Sequence, residues 1–131
     1  MASILRVNTL TDASSNNSTP MATVASGTAK AWVRLNGTGT IAINKSFNTS
    51  SITDQGSGVY DQSYSNNFSD AVYNYVHGSK DSDDGMGVPT VCSDPRVADA
   101  TSSMRLIHNY PGNSTFYDAV AICNNIFGDL A

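Results

Sequence analysis

The chain has 131 residues and a formal net charge of −4, with seven basic residues and eleven acidic ones. Because the basic residues are few and scattered along the sequence, we do not expect binding to a nucleic-acid backbone. No apolar run approaches the roughly 18 residues that a membrane span requires, so we expect no membrane insertion.

The amino-acid composition favours β-structure. All eleven acidic residues are aspartate, and serine, threonine and asparagine together occupy 43 positions. These residue types compete with the backbone hydrogen bonds of a helix. We therefore predict an all-β fold, a compact antiparallel β-sandwich of jelly-roll type over residues 29–131, preceded by an N-terminal strand, arm and linker over residues 1–28. The length is sufficient for one domain that buries its own core.

The N-terminal segment has the pattern of an extended arm. Residues 3–11 alternate like a short strand with one apolar face, and residues 12–20 consist of turn-forming side chains. The arm either docks on a neighbouring subunit or folds back as an edge strand of its own domain. The terminus also lacks the apolar segment of a secretory signal, so we expect no signal-directed secretion. The apolar residues assigned to assembly are Ile4, Leu5, Val7 and Leu10.

Residues 29–54 have the pattern of a β-hairpin and contain Trp32, the single tryptophan of the chain. Apolar and polar residues alternate over 31–36 and again over 41–44, and the sequence Gly-Thr-Gly lies between them. Alternation with a period of two predicts strands, and the glycines allow a tight reversal. A weaker strand is expected over residues 47–53, followed by a turn at 54–58.

Aromatic residues concentrate in the next two segments. We predict an extended stretch over 59–65 and a strand over 70–77. Their four tyrosines have two interpretations: core packing with the hydroxyls reaching solvent, or an exposed surface for a glycan or a protein partner. The candidate residues for that surface are Trp32, Tyr60, Tyr64, Tyr73 and Tyr75.

Residues 78–87 are predicted to form a loop that carries Asp81, Asp83 and Asp84. The aspartates resemble a calcium loop, but the following glycine comes one position early, and Cys92 stands where a bidentate glutamate would fall. We therefore expect a solvated acidic loop, with a weak cation site as the alternative. A possible edge strand follows around Val91.

The last third of the chain contains two more predicted strands. Residues 101–110 alternate and end at a turn over 111–113. Residues 115–127 form the longest apolar run, and apolar residues fall on both faces of it. We expect this strand to lie in the centre of a sheet or to be covered by a partner subunit.

The sequence offers no catalytic constellation. It contains neither a nucleophile elbow nor a phosphate-binding glycine loop, although a pair of aspartates brought together by folding stays an open alternative. His77 and His108 lack the spacing of a metal site, so we assign them structural roles. Cys92 and Cys123 are interpreted as small buried residues, and a disulfide stays open. We expect no enzyme, no catalytic residue, no metal site and no cofactor.

The central block resembles a known family. It is similar to a block of the form KAWVxFNGTGTxAIxxSFNVSSITDNGTG. The similar segments are KAWV at 30–33, NGTGT at 36–40, SFN at 46–48, SSITD at 50–54 and GSG at 56–58. That block recurs in small tail-fibre-like virion proteins of marine and cyanobacterial tailed phages. The opening MASIL and the closing FGDLA are similar to the same group. Leu35 and Thr49 depart from it, and the stretch from about 78 to 110 shows no similarity.

The resemblance implies a non-enzymatic structural protein of a bacteriophage particle, a tail fibre or surface knob that contributes to host attachment. Such a protein is made in the host cytoplasm and assembled on the virion. The expected partners are further copies of the chain in a homotrimer, other tail or capsid proteins, and a host surface glycan or receptor. The alternatives are a capsid decoration or cement protein and a glycan-binding module.

Overall fold

The structure is a computed structural model that describes residues 4, 6–15, 17–80, 90–109 and 115–131, with residues 90–92 described by their backbone. These residues form short strands and one helix. In chain order the elements are β1 (Thr9–Thr11), β2 (Ser18–Pro20), α1 (Met21–Gly27), β3 (Ala31–Asn36), β4 (Ala42–Phe47), β5 (Thr49–Gly56), β6 (Val59–Tyr64), β7 (Asn74–Lys80), β8 (Thr90–Ser93), β9 (Ser103–Asn109) and β10 (Ala121–Phe127).

The strands form two four-stranded antiparallel sheets and one small two-stranded sheet. The first sheet has the order β4-β3-β10-β7, and the second sheet has the order β5-β6-β9-β8. Strands β1 and β2 pair with each other. The two larger sheets pack together, so the predicted all-β sandwich is confirmed.

The hydrophobic core lies between the two larger sheets. Alternate residues of β3 and β10 point inward from the first sheet, and alternate residues of β6 and β9 point inward from the second. Each large buried side chain contributes about 1.5–3 kcal/mol relative to its exposed state. The largest apolar members with almost no exposed surface are Val33, Leu35, Tyr60, Phe68, Met104, Leu106, Ile122 and Ile126.

The predicted hairpin is formed by β3 and β4, but the strand expected over 47–53 is divided. Phe47 ends β4 in the first sheet, and Thr49 begins β5 in the second sheet. Asn48 lies between them with a positive φ of 52°, a conformation that asparagine tolerates better than most residues. Its side chain bonds both ways with the backbone of Asn66, at 3.0 and 2.6 Å. Asn48 therefore forms a corner between the two sheets.

The N-terminal segment differs from its prediction. Of the described residues in the strand expected over 3–11, Thr9–Thr11 form β1, and the expected loop over 12–20 contains β2. Helix α1 was not expected. Thr28 Oγ1 donates to Val24 O at 2.6 Å, and Lys30 Nζ donates to Ala25 O. These bonds satisfy carbonyls at the end of the helix, which a seven-residue segment needs because its own hydrogen bonds are few.

Two later predictions also shift in position. The strand expected over 70–77 begins at Asn74 and continues to Lys80, so it includes three residues assigned to the acidic loop. The rest of that loop, with its three aspartates, lies outside the described residues, as does the turn at 111–113. The strand expected over 115–127 begins at Ala121. It lies between β3 and β7, which confirms its central position, and β8 is an edge strand as expected.

Candidate binding face

Three of the predicted surface tyrosines lie in the core. Tyr60, Tyr64 and Tyr73 are 0, 6 and 8 % exposed. The prediction that they form an exposed surface for a glycan is therefore wrong for this structure, and core packing describes them. Burial raises the pKa of all three hydroxyl groups. The rings of Tyr64 and Phe68 meet edge to face with centroids 4.9 Å apart, a favourable aromatic geometry.

The buried hydroxyls are paired inside the protein rather than with solvent. Tyr64 Oη donates to Tyr73 Oη at 3.2 Å. Tyr60 Oη donates to Asp118 Oδ1 at 2.7 Å, and the backbone N–H of Gly58 donates to the same oxygen at 2.7 Å. Asp118 comes 58 residues after Tyr60, so this long-range partner explains why a polar aromatic residue is fully buried.

Tyr75 and Trp32 lie on opposite faces of the first sheet. Tyr75 stacks on His77 with ring centroids 4.6 Å apart, and its hydroxyl lies 3.1 Å from Ser93 Oγ of the second sheet. Trp32 alternates with the buried residues of β3 and is half-buried on the outside of the sandwich. The five predicted residues therefore form no common surface, and among them only Trp32 lies on the outside of the first sheet.

The outside of the first sheet combines aromatic and basic side chains. Trp32 pairs directly with Phe47 across β3 and β4, and Arg34 pairs with Lys45. Phe47 is 53 % exposed although it is a large apolar residue. Because directly paired residues share a face, these four side chains form two adjacent rows. We call this surface the outer face, and it comprises Trp32, Arg34, Asn36, Asn44, Lys45, Phe47, Val76, Cys123 and Asn125.

A β-bulge shapes the outer face at the edge of the first sheet. The register between β3 and β4 shifts after the Arg34–Lys45 pair, and Asn44 is the extra residue. A bulge bends the strand and redirects side chains. Asn44 and its neighbour Lys45 consequently line one cleft of about 450 Å³, whose lining residues are Arg34, Asn36, Asn44, Lys45 and Val120.

The cleft is basic in a protein whose net charge is negative. Arg96 and Arg105 form ion pairs with Asp94 and Asp61, at 2.7 and 2.6 Å. Among the described residues, Arg34 and Lys45 have no such partner. No acidic side chain from the described part of the chain lines the cleft. An uncompensated pair of cations on an outer surface favours an anionic ligand.

Sequence reasoning missed the cleft because its residues appear scattered along the chain. Arg34 and Lys45 are eleven positions apart, and only the pairing of β3 with β4 brings them together. The alternation over 31–47 places Trp32 and Arg34 on the polar face of the hairpin, and this was the one sequence pattern that indicated the cleft. The bulge at Asn44 interrupts the alternation and was not predicted.

The interior between the sheets contains a series of hydrogen-bonded polar side chains. Asn124 Nδ2 donates to Gln62 Oε1 at 2.7 Å, and Gln62 Nε2 donates to Thr49 Oγ1 at 2.8 Å. His77 lies opposite Asn124 in the register of β7 and β10, and burial lowers its pKa. His108 Nδ1 lies 2.9 Å from the carbonyl oxygen of Tyr117. In the part of the chain that the structure describes, no group of three or more His, Cys, Asp or Glu side chains is placed to hold a metal ion.

The arm residues are exposed. Ile4 is 75 % exposed, and Val7 and Leu10 are also exposed, whereas Leu5 lies outside the described residues.

Cys123 has a free thiol on the outer face, while Cys92 belongs to β8 of the other sheet. Within the described ranges, no helix has the length and hydropathy needed to cross a membrane.

Comparison of the chain with protein-family models, curated proteins and solved structures finds no match. The central sequence block, residues 30–58, builds β3, β4 and β5, and thus most of the cleft lining.

Proposed function

We propose that the chain is a non-enzymatic structural protein of a tailed-bacteriophage particle, a tail-fibre or surface-knob subunit. It is made in the host cytoplasm, assembles on the particle through its N-terminal arm, and presents the sandwich to the host surface. The observation that carries this proposal is the exposure of apolar side chains along the N-terminal arm, with Ile4 and Val7 ahead of β1 and Leu10 within it. The fold class and the resemblance of the central block agree with it.

The arm has the properties of an assembly element. Its turn is closed by two bonds between Asp12 and Asn17, one from the side-chain amide at 2.7 Å and one between backbone groups at 3.0 Å. Lys30, at the start of the sandwich, holds the end of α1. Burying an exposed isoleucine side chain such as that of Ile4 on another subunit gains about 1.5–3 kcal/mol. The proposed recipients are further copies of the chain in a homotrimer and other proteins of the tail or capsid.

The outer face combines residues that match the recurring block with residues at its variable positions, as expected of a surface that binds different partners. Trp32, Asn36 and Phe47 match the recurring block, whereas Arg34, Asn44 and Lys45 occupy positions at which that block varies. Aromatic residues that stay the same beside polar residues that differ suit host attachment, because the polar residues set specificity.

The arm is tested by changing its apolar residues and measuring incorporation into particles. A variant with Ile4→Asp, Val7→Asp and Leu10→Asp is expected to fold normally but to be lost from purified phage. Val72→Asp is the matched control, because Val72 is 90 % exposed and lies outside the arm. Circular dichroism checks folding, and quantitative immunoblotting of particles measures copy number. Equal incorporation of both variants would show that the arm is not the attachment element.

A further inference from the structure

We propose that the cleft of the outer face binds a saccharide that carries a carboxylate group. This goes beyond the assembly role, because it concerns a ligand site on the sandwich. Binding at this site can be measured with the isolated chain. Charge complementarity, aromatic exposure and the shape of the cleft each contribute to the inference.

The charges favour a carboxylate. Arg34 and Lys45 are directly paired across β3 and β4. Like charges directly opposite each other destabilise a sheet, and a bound anion removes that repulsion. The Arg34 guanidinium presents parallel N–H donors that match the two oxygens of a carboxylate, and the Lys45 ammonium adds a second cation.

The neighbouring groups favour a sugar as the carrier of that carboxylate. The exposed ring of Phe47 and the half-buried ring of Trp32 lie in the adjacent row, where flat apolar surfaces can pack against the C–H face of a pyranose. Asn36 is held in place, since its Nδ2 donates to Thr38 O at 3.1 Å and its Oδ1 accepts from Thr38 N at 3.2 Å. Its second amide hydrogen and the amide of Asn44 are suited to sugar hydroxyls.

The size of the site argues against a long polyanion. A volume of about 450 Å³ is typical of a small-molecule site. Two cations neutralise one or two negative charges, whereas a nucleic-acid backbone requires many contacts to overcome the net charge of −4. The site therefore fits a short acidic sugar segment of a surface polysaccharide.

Trp32 provides the assay, because it is the only tryptophan and borders the site. The purified chain is titrated with tri-galacturonic acid while tryptophan fluorescence is recorded. We expect saturable binding that weakens as salt is raised. The fully methyl-esterified trisaccharide is the neutral control ligand and is expected to bind at least about tenfold more weakly. A short single-stranded oligonucleotide and a penta-glutamate peptide test other anions.

Three variants locate the binding. Arg34→Gln and Lys45→Gln are each expected to raise the Kd for tri-galacturonic acid about tenfold or more. Lys80→Gln is the matched control, since Lys80 is an exposed cation of the same sheet outside the cleft lining, and its Kd is expected to stay within about twofold. Thermal melting confirms that the variants fold.

Several outcomes would overturn the proposal. They are the absence of saturable binding, equal affinity for the acidic and the esterified trisaccharide, tighter binding of the oligonucleotide or the peptide, and an equal effect of all three variants. Each concerns the cleft alone, because the assay uses the isolated chain. A failed incorporation experiment with the arm variant would instead overturn the assembly role.

Discussion

Replacing Tyr60 by phenylalanine removes one oxygen atom from the core and tests how the core supports the cleft. Tyr60 is fully buried, and its hydroxyl donates to the Asp118 carboxylate at 2.7 Å. Hydrogen bonds to a charged partner contribute about 1.5–3 kcal/mol. We expect Tyr60→Phe to lower the free energy of unfolding by that amount, because Asp118 then keeps only the Gly58 N–H of its two donors at this oxygen.

The same change is expected to lower the melting temperature. For a chain of this size, 1 kcal/mol corresponds to about 3–5 °C, so Tyr60→Phe should lower Tm by about 5–15 °C. Circular dichroism on heating and urea denaturation both measure the effect. Tyr75→Phe is the control, because its hydroxyl bonds Ser93 at an exposed site, and we expect a change within about 0.5 kcal/mol.

Tyr60 also influences the candidate site. Asp118 precedes Ala119, whose carbonyl accepts from Gly37 N at 2.9 Å, and Val120 then lines the cleft. Loss of the hydroxyl should therefore also weaken binding of tri-galacturonic acid. The reasoning about this bond is wrong if the free energy of unfolding of Tyr60→Phe lies within about 0.5 kcal/mol of that of the unmodified protein. It is also wrong if Tyr75→Phe lowers the free energy of unfolding as much as Tyr60→Phe does.

Three further predictions concern pH and backbone conformation. Burial raises the pKa of Tyr60, Tyr64 and Tyr73 in the folded state, so the free energy of unfolding should fall as pH rises past the ordinary tyrosine pKa of 10.0. Reversible titration of the absorbance of all six tyrosines near pH 10 would contradict this. The Arg96 guanidinium lowers the pKa of Asp94, so the stability from this pair should be lost as pH falls below 3.8. Asp94→Asn should reduce the difference between urea midpoints at pH 7 and pH 3, and an unchanged difference would exclude the pair as its source. Gly58→Ala should destabilise by more than about 3 kcal/mol in urea, because φ is +65° and a Cβ would lie 2.6 Å from Tyr117 N. Gly39→Ala is its control, with φ +67° and open space, and should cost about 1–2 kcal/mol, so equal costs would contradict the predicted overlap.

Alternation along the sequence predicts the strands that have one buried face. Strand β3 follows it closely, since a period of two fixes which residues face the core. Strand β9 follows it up to Leu106, after which Ile107 on the other face is also buried. The pattern does not reveal whether a tyrosine face points inward. For Tyr60 the answer depends on Asp118, which folding alone brings within hydrogen-bond distance.

The candidate site was unpredictable for a related reason. A local pattern identifies neither the Arg34–Lys45 pair nor the bulge at Asn44, because both depend on the register between two strands. Helix α1 is likewise too short to be predicted from its own residues, and it ends at hydrogen bonds from Thr28 and Lys30 that lie beyond it.

The most direct test of the proposed function is electron cryomicroscopy of intact particles of a tailed phage whose genome carries this sequence. The proposal predicts density for the sandwich at the tail or at surface fibres, in a copy number that is a multiple of three, with the arm buried against a neighbouring subunit. Absence of the chain from purified particles would contradict the proposal. A lattice of copies over the capsid would also contradict it and would instead identify a decoration protein.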